Sequence, residues 1–318
     1  MVMDKNAFTP KYIIVLGTTY SGSGAIFDYL SERGDLYNPL LGEEYELPQI
    51  TNGLLALEAA CNKAFDPATC EYAIFQFEKI TNRLINRWSK QILGKNFPDR
   101  LKLFKEEFEK FINEVTATDF PMKLNWRQYT QTPLQKIINI AKRRVGFIDI
   151  IPKTRILVSE DKFVFSAQKL HDRIFLPESA GSSILLNQAG SGWNAIESTK
   201  YFSSSKVVIV TRDPRDQYLG IKQFKKANSV RGFVNWYKEM QLRLKKIEDP
   251  KILKISFENF VNKYENSVEK LCKHINLPPN KSSNYQPNLS KKNIGKFSQL
   301  LSKSEIDIIE TELSDYIY

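Results

Sequence analysis

The sequence predicts an α/β fold, a three-layer α/β/α domain with a central, mainly parallel sheet. Two apolar runs and the pattern between them carry the prediction. Residues 12–16 (YIIVL) form a short run rich in β-branched side chains, long enough for one buried strand, and Gly17 stops it. Residues 206–211 (KVVIVT) are uniformly apolar in the middle, as a buried parallel strand is. Around them lie stretches with apolar residues at helical three- and four-residue steps. The chain has 318 residues, 42% of them hydrophobic and 26% charged, which is ordinary for a globular protein. The reading is a single domain over residues 1–318 carrying a helical, substrate-side insertion over about 46–144.

After Gly17 come seven mostly small, polar residues, Thr18 to Gly24, and then an amphipathic run that opens at Ala25 with Ile26, Tyr29 and Leu30 on one face. Strand, Gly/Ser loop and helix together aim backbone N–H groups at a phosphate, and the helix N-terminus adds partial positive charge. Gly17 and Gly22 have the glycine spacing of the nucleotide-triphosphate loop G-x-x-x-x-G-K-[ST]. Ser23 stands in place of its lysine and Gly24 in place of its Mg²⁺-holding Ser/Thr. The loop is therefore P-loop-like, suited to phosphate and poorly suited to ATP or GTP hydrolysis. The alternative is a Gly/Ser turn that binds nothing.

The helix after this loop closes at Gly34, which suits a left-handed cap. Residues 35–39 read as extended. Glu43, Glu44 and Glu46 follow, either as the acidic first turn of the next helix or as a general base aimed at an acceptor hydroxyl. Ile74, Phe77, Ile80, Leu84 and Trp88, then Leu101, Phe104, Phe108, Phe111 and Val115, are core stripes of two helices. Lys123, Arg127, Lys142, Arg143 and Arg144, interleaved with Trp126 and Tyr129, suit a sugar-binding surface or an ordinary exposed helix face. Residues 145–187 read as short apolar runs between polar turns, with strands at 155–158 and 183–186, and a short helix follows at 193–201.

Arg212 directly follows the second strong strand. In open α/β sheets that edge binds ligands, and an arginine there suits a phosphate. The alternative is a salt bridge to Asp213 or Asp216. Asp213 is a good N-cap and Pro214 a good first helical residue. In that helix Tyr218, Ile221 and Phe224 read as inward, and Lys222, Lys225 and Lys226 as outward. Further on, a helix fits 229–247 and a strand 252–257, and Ser302 with Glu305 has the capping-box pattern.

The formal net charge of +10 favours anionic partners: a nucleotide, an acidic glycan, nucleic acid or an anionic membrane surface. Three scattered cysteines and two histidines make a zinc site improbable and fit a reducing compartment. No apolar run has signal-peptide or membrane-spanning length, so a cytoplasmic protein without stable membrane insertion is expected.

Four segments together resemble the sulfotransferase family, whose members transfer a sulfuryl group from 3′-phosphoadenosine-5′-phosphosulfate (PAPS). Tyr20-Ser21-Gly22-Ser23-Gly24-Ala25 is similar to the loop that binds the 5′-phosphosulfate. VVIVTRDPRD over 207–216 looks like the segment that binds the 3′-phosphate, through Arg212. Gly42-Glu43-Glu44 is similar to the G-E-E segment of tyrosylprotein sulfotransferases, whose second glutamate is the catalytic base. Lys292 to Phe297 is similar to a segment in bacterial members, bacterial carbohydrate sulfotransferases among them, that closes over the 3′-phosphate. Two positions depart from the pattern: Tyr20 replaces the usual Lys or Arg, and Gly220 replaces a serine. Lys222, Lys291, Lys292 or Lys296 are candidates to make up the missing donors.

The resemblance implies a PAPS-dependent enzyme, with PAP as product and no metal, acting on an acceptor hydroxyl on a glycan. It assigns the base to Glu44, with Glu43 or His171 as the alternatives. It assigns cofactor binding to Tyr20, Ser21, Gly22, Ser23, Gly24, Ala25, Arg212, Gly220, Lys292 and Lys296. The competing readings are a P-loop kinase or NTPase, disfavoured by Ser23, and a non-catalytic anion- or nucleic-acid-binding relative. No nucleic-acid motif is present, so no nucleic-acid partner is expected.

Overall fold

The computed structural model describes residues 11–63, 65–91, 97–122, 124, 126–129, 131–145, 153–175, 182–280 and 283–318. In chain order the elements are β1 (Tyr12–Gly17), α1 (Ser23–Ser31), β2 (Leu36–Tyr37), α2 (Leu54–Asn62), α3 (Pro67–Gln91) and α4 (Phe97–Val115). Next come β3 (Thr116–Pro121), α5 (Trp126–Tyr129), α6 (Pro133–Arg144), β4 (Lys153–Leu157), α7 (Glu160–Ile174), β5 (Ser183–Asn187) and α8 (Ala195–Thr199). The last are β6 (Ser205–Thr211), α9 (Pro214–Gln223), α10 (Val230–Lys245), β7 (Ile252–Ser256), α11 (Phe257–Asn262), α12 (Tyr264–His274), α13 (Pro287–Lys291), α14 (Phe297–Leu300) and α15 (Lys303–Glu312). They divide into two compact units, residues 1–48 with 175–318, and residues 49–174.

The first unit holds a five-stranded, all-parallel sheet in the order β2-β5-β1-β6-β7. β1 is central: Ile14 pairs with Leu186 on one side and Val207 on the other. Both faces of β1 are covered, and residues 12–16 are fully buried. Each such side chain contributes roughly 1.5–3 kcal/mol when removed from water, which is why the run does not alternate with polar residues. Ile13, Val15, Val208 and Val210 pack against Ile26 and Leu30 of α1, Phe260 of α11 and Leu271 of α12. On the other face Tyr12 meets Phe202, which meets Tyr45. This is the expected α/β architecture with a parallel central sheet.

The second unit is built on α2, α3, α4 and α7, with Phe77, Phe111 and Phe163 in successive ring contact. Arg155 of β4 makes a two-pronged bond to Glu78 of α3 (2.6 and 2.9 Å), and Arg173 of α7 pairs with Glu107 and Glu114 of α4. β3 and β4 form an antiparallel pair. The side chain of Trp88 lies outside the described ones.

Several local expectations are corrected. Residues 160–174 are a helix, not short runs between turns, because Phe163, Ala167, Leu170 and Ile174 share one buried face behind acidic Glu160 and Asp161. The strand expected at 155–158 is β4, ending at Leu157, and β3 interrupts the stretch read as helical. Gly34 forms no left-handed cap: the C-cap of α1 is Glu32, in right-handed conformation. Asp213, by contrast, caps α9 by accepting from the Arg215 N–H, and Ser302 with Glu305 forms a complete capping box.

His274 of α12 ties two strand-edge carbonyls together, its Nε2 lying 3.1 Å from both Val207 O and Lys251 O. Burial, then the nearby Lys206 charge, push its pKa down to about 4, against the raising effect of the two carbonyls. A depressed folded-state value means that the unfolded chain takes up the proton first. This contribution to stability is present above about pH 6.5 and is lost as pH falls toward about 4. Urea unfolding of the native chain should lose stability across that window, and His274→Gln should flatten this part of the profile. An unchanged profile in the variant would remove the assignment.

Candidate active site

The carboxyl edge of the sheet is dominated by the loop that follows β1. Thr19 (φ 65°), Tyr20 (φ 53°) and Gly22 (φ 80°) are all left-handed. For a β-branched threonine and a bulky tyrosine that conformation is costly, of order 1–3 kcal/mol each, and it is found where surrounding contacts enforce it. Those contacts are two glutamines. Gln217 of α9 donates from Nε2 to Thr18 O and Thr19 O (2.6 and 2.7 Å). Gln188, just after β5, accepts from the Gly17 N–H and donates to Ser23 Oγ, each at 3.0 Å. Ser21 Oγ accepts from the Thr18 N–H (3.1 Å). The loop therefore closes on itself at the N-terminus of α1, where the Ala25 N–H donates back to Gly22 O (3.1 Å).

Three glycines make this closure possible. A Cβ on Gly17 would lie 2.7 Å from the Ser21 and Ser23 hydroxyls, and one on Gly192 would lie 2.7 Å from Gly17 O. A Cβ on Gly22 would enter the Phe257 ring at 2.6 Å.

Arg212, at the carboxyl end of β6, does not take the salt bridge to Asp213 or Asp216. It donates from Nη1 to Tyr20 O (3.1 Å) and from Nη2 to Asn293 O (2.7 Å), and its guanidinium lies 5.2 Å from the Phe257 ring centre. Its Nε is buried without a hydrogen-bond partner. Burial pulls its pKa down, while Asp216, Glu258 and Asp213 push back. These acids are occupied otherwise. Asp216 accepts from the Gly295 and Phe297 N–H groups (2.6 and 3.1 Å), and Asp213 accepts from Arg215, which also pairs with Glu310. Glu258 accepts from the Asp213 N–H (2.9 Å), its second oxygen is buried unpaired, and burial raises its pKa, as it does that of Asp216.

Arg212 and Asp216 thus bring residues 293–297 to the loop after β1. Lys292 and Lys291 are exposed there, and Lys296 donates to Asn293 Oδ1 (2.7 Å). Lys222 is instead committed to Glu305 (2.6 Å). Burial tends to raise the Glu305 carboxyl, but Lys222, Ser302 and Tyr218 hold it at about 2.

Glu44 lies in no helix, since α2 begins only at Leu54; the first-turn reading of Glu43, Glu44 and Glu46 is therefore corrected. Glu44 bridges in parallel to Asn187, the Tyr45 N–H donates to Asn187 O (2.8 Å), and Leu41 and Gly42 turn the chain into that register with positive φ. Asn187 immediately precedes Gln188, so Glu44 stands exposed at the same sheet edge as the phosphate-type loop. His171 is fully buried in the second unit. Trp126 is also turned inward there, donating to Glu71 (2.9 Å), while Tyr129 is 87% exposed. Lys123 lies outside the described residues, as do the side chains of Arg127 and Arg143.

Tyr20 and Gly220, the two departures from the family pattern, touch. A Cβ on Gly220 would lie 3.1 Å from Tyr20 Cβ and 3.3 Å from Cγ. The Tyr20 ring continues onto Phe224, stacked at 4.9 Å and 19°, and the Lys226 ammonium stands 5.1 Å from its centre. Phe224, expected inward, is therefore an exposed partner of the loop. Lys226 thus sets a cation beside the Tyr20 ring. Gln188, Gln217 and Lys226 carry no local sequence signal and are found only in the structure. Beside Thr19, Lys226 also borders a cleft of about 320 Å³ lined by Phe233 and Trp236.

The first unit is thus an all-parallel α/β sheet with a glycine-containing loop at the carboxyl end of its central strand, the edge at which open α/β sheets commonly bind ligands. No family model and no curated protein matches the sequence. Solved structures similar to it include sulfotransferases. The sulfotransferase domain from the Synechococcus PCC 7002 olefin synthase is 12% identical, with 99% of this chain and 98% of that one covered and a TM-score of 0.46. The sulfotransferase domain from the curacin biosynthetic pathway is 14% identical, with 96% and 98% covered and a TM-score of 0.42. A sulfotransferase from Alicyclobacillus acidocaldarius is 12% identical, with 97% of each chain covered and a TM-score of 0.36.

Glycine inside a helix costs about 1 kcal/mol relative to alanine, so Gly220 is retained for space. Gly220→Ser should destabilise the native chain by about 1–2 kcal/mol through overpacking against Tyr20. In a Tyr20→Gly background, which removes the Cβ at 3.1 Å as well as the ring, the same change should be neutral or stabilising. Urea unfolding of the four-member cycle measures the coupling; additive effects would mean that the two positions are independent.

Proposed function

We propose that this chain is a sulfotransferase that moves a sulfuryl group from PAPS to an acceptor hydroxyl, most suitably on a glycan, in the cytoplasm. The observation that carries the reading is the convergence of the clamped loop, Arg212 and residues 292–296 at one sheet edge. Its donors match a nucleotide with phosphate groups at two ends. The partnerless Arg212 Nε and the open space beside Gly24, where a Cβ would meet nothing within 4 Å, fit such a ligand. Lys226 compensates for the cation that Tyr20 replaces, and Gly220 offers no hydroxyl.

PAPS would supply an activated sulfuryl group and a phosphate leaving group. Tyr20, Ser21, Gly22, Ser23, Gly24 and Ala25 form the cradle for the 5′-phosphosulfate: N–H groups of residues 21–25 orient it and stabilise charge on the leaving oxygen. Arg212 holds the 3′-phosphate, with Lys292 and Lys296 beside it. Glu44 receives the proton of the attacking hydroxyl at a carboxylate oxygen. Among the described residues no cluster of three metal-ligating side chains occurs, and the reaction as written uses none. The second reading is a non-catalytic anion-binding relative, favoured by the Tyr20 side chain lying across Gly220.

Calorimetric titration with PAP, alongside ATP and GTP with Mg²⁺, separates these readings from a kinase or NTPase. PAP should bind and the Mg²⁺ nucleotides should not. Arg212→Ala should weaken PAP by about 2 kcal/mol, roughly 30-fold, as removal of a charge-assisted bond does. Absence of PAP binding in the native chain would overturn the proposal.

Glu44→Gln should leave PAP affinity unchanged and lower turnover by about 10²–10⁴-fold. Near-native turnover would release Glu44 from the role and leave Glu43 as the carboxylate to test.

A further inference from the structure

Helix α6 of the second unit is exposed along its whole length. Every described side chain in it except Asn139 is exposed, including Leu134 (66%), Ile137 (63%) and Ile138. At 100° per residue Leu134, Ile138, Ala141 and the following Val145 (73% exposed) form one stripe, with Ile137 beside it. Lys142 falls on one border of the stripe, and Arg144 lies on the other side, between Ile137 and Ile140 (53% exposed). The surrounding sequence is one-signed: residues 120–148 contain six basic residues, Lys123, Arg127, Lys136, Lys142, Arg143 and Arg144, and no Asp or Glu.

We propose that α6 is a docking helix for an anionic lipid bilayer, lying in the plane of the headgroups. An apolar stripe bordered on both sides by long basic side chains matches that medium. The stripe enters the acyl boundary while Lys142 and Arg144 reach back to anionic headgroups. Twelve residues are too few to cross a bilayer, and no described helix is long and apolar enough to do so, so the contact is peripheral. Self-association through the same face is disfavoured by charge. Two copies of α6 meeting on that stripe would crowd its bordering Lys142 and Arg144 with no acid on the helix to pair them.

The test is cosedimentation of the full chain with vesicles of phosphatidylcholine alone, or mixed with phosphatidylglycerol, at low and high salt. Binding should be at least about tenfold stronger to the mixed vesicles and should fall as salt rises. The double variant Lys142→Gln/Arg144→Gln and, separately, Ile138→Gln should each lower that binding by about tenfold or more. Thermal unfolding of both variants should be unchanged, because the altered side chains are solvent-exposed. Equal binding to both vesicle types, no binding, or binding that neither variant alters would overturn the proposal. So would concentration-dependent self-association, seen by sedimentation velocity and abolished in Ile138→Gln, without vesicle binding.

Discussion

The backbone between Gly17 and Gly22 cannot satisfy its own carbonyl groups, and the edge of the sheet is arranged around that deficit. A left-handed Thr19-Tyr20 pair turns carbonyls away from any regular partner. Buried carbonyls left without donors would cost about 1–3 kcal/mol each. Gln217 meets two of them, Arg212 meets a third, and Gln188 holds the amide at the start. A loop built this way has its donors aimed before any ligand arrives, so binding an anion requires little further ordering.

Arg212 illustrates how charge is kept in place without being neutralised. Three acids surround it, yet each is hydrogen-bonded elsewhere: to the α9 N-terminus, to the Asp213 amide, or to residues 295 and 297. Their field keeps the guanidinium charged in a partly buried position. Because its two terminal amino groups donate to neutral carbonyls rather than to a carboxylate, the arginine is not locked in an ion pair. Its charge is left available to the phosphate proposed for this edge.

Much of this edge was legible in the sequence because its signals are local. The strand–glycine–helix order of residues 12–31, the Asp213-Pro214 cap, the Ser302/Glu305 box and the β-branched runs are each written within a few residues. The parts that were not legible depend on distant neighbours. Gln188 and Gln217 look like ordinary polar residues until β5 and α9 bring them to Gly17 and Thr18, respectively. Phe224 has the spacing of a core residue, but the Tyr20 ring outside captures it. The helix at 160–174 was hidden because apolar residues four apart, in a stretch flanked by two strands, mimic short separate runs. Glu44 reads as a helix start until Asn187 pairs with it.

The central position of β1 also has a consequence during synthesis. Its partners are β5 and β6, with Tyr12 beside Ile184 and Ser205. A ribosome adding about 5–20 residues per second exposes this apolar run for on the order of ten to thirty seconds before β5 emerges. Arg212 then takes Asn293 O as a partner, so the proposed anion site assembles last. A nascent chain of this topology is one that general chaperones would have to shield, and the ligand has no complete site to bind until almost all of these residues have been made.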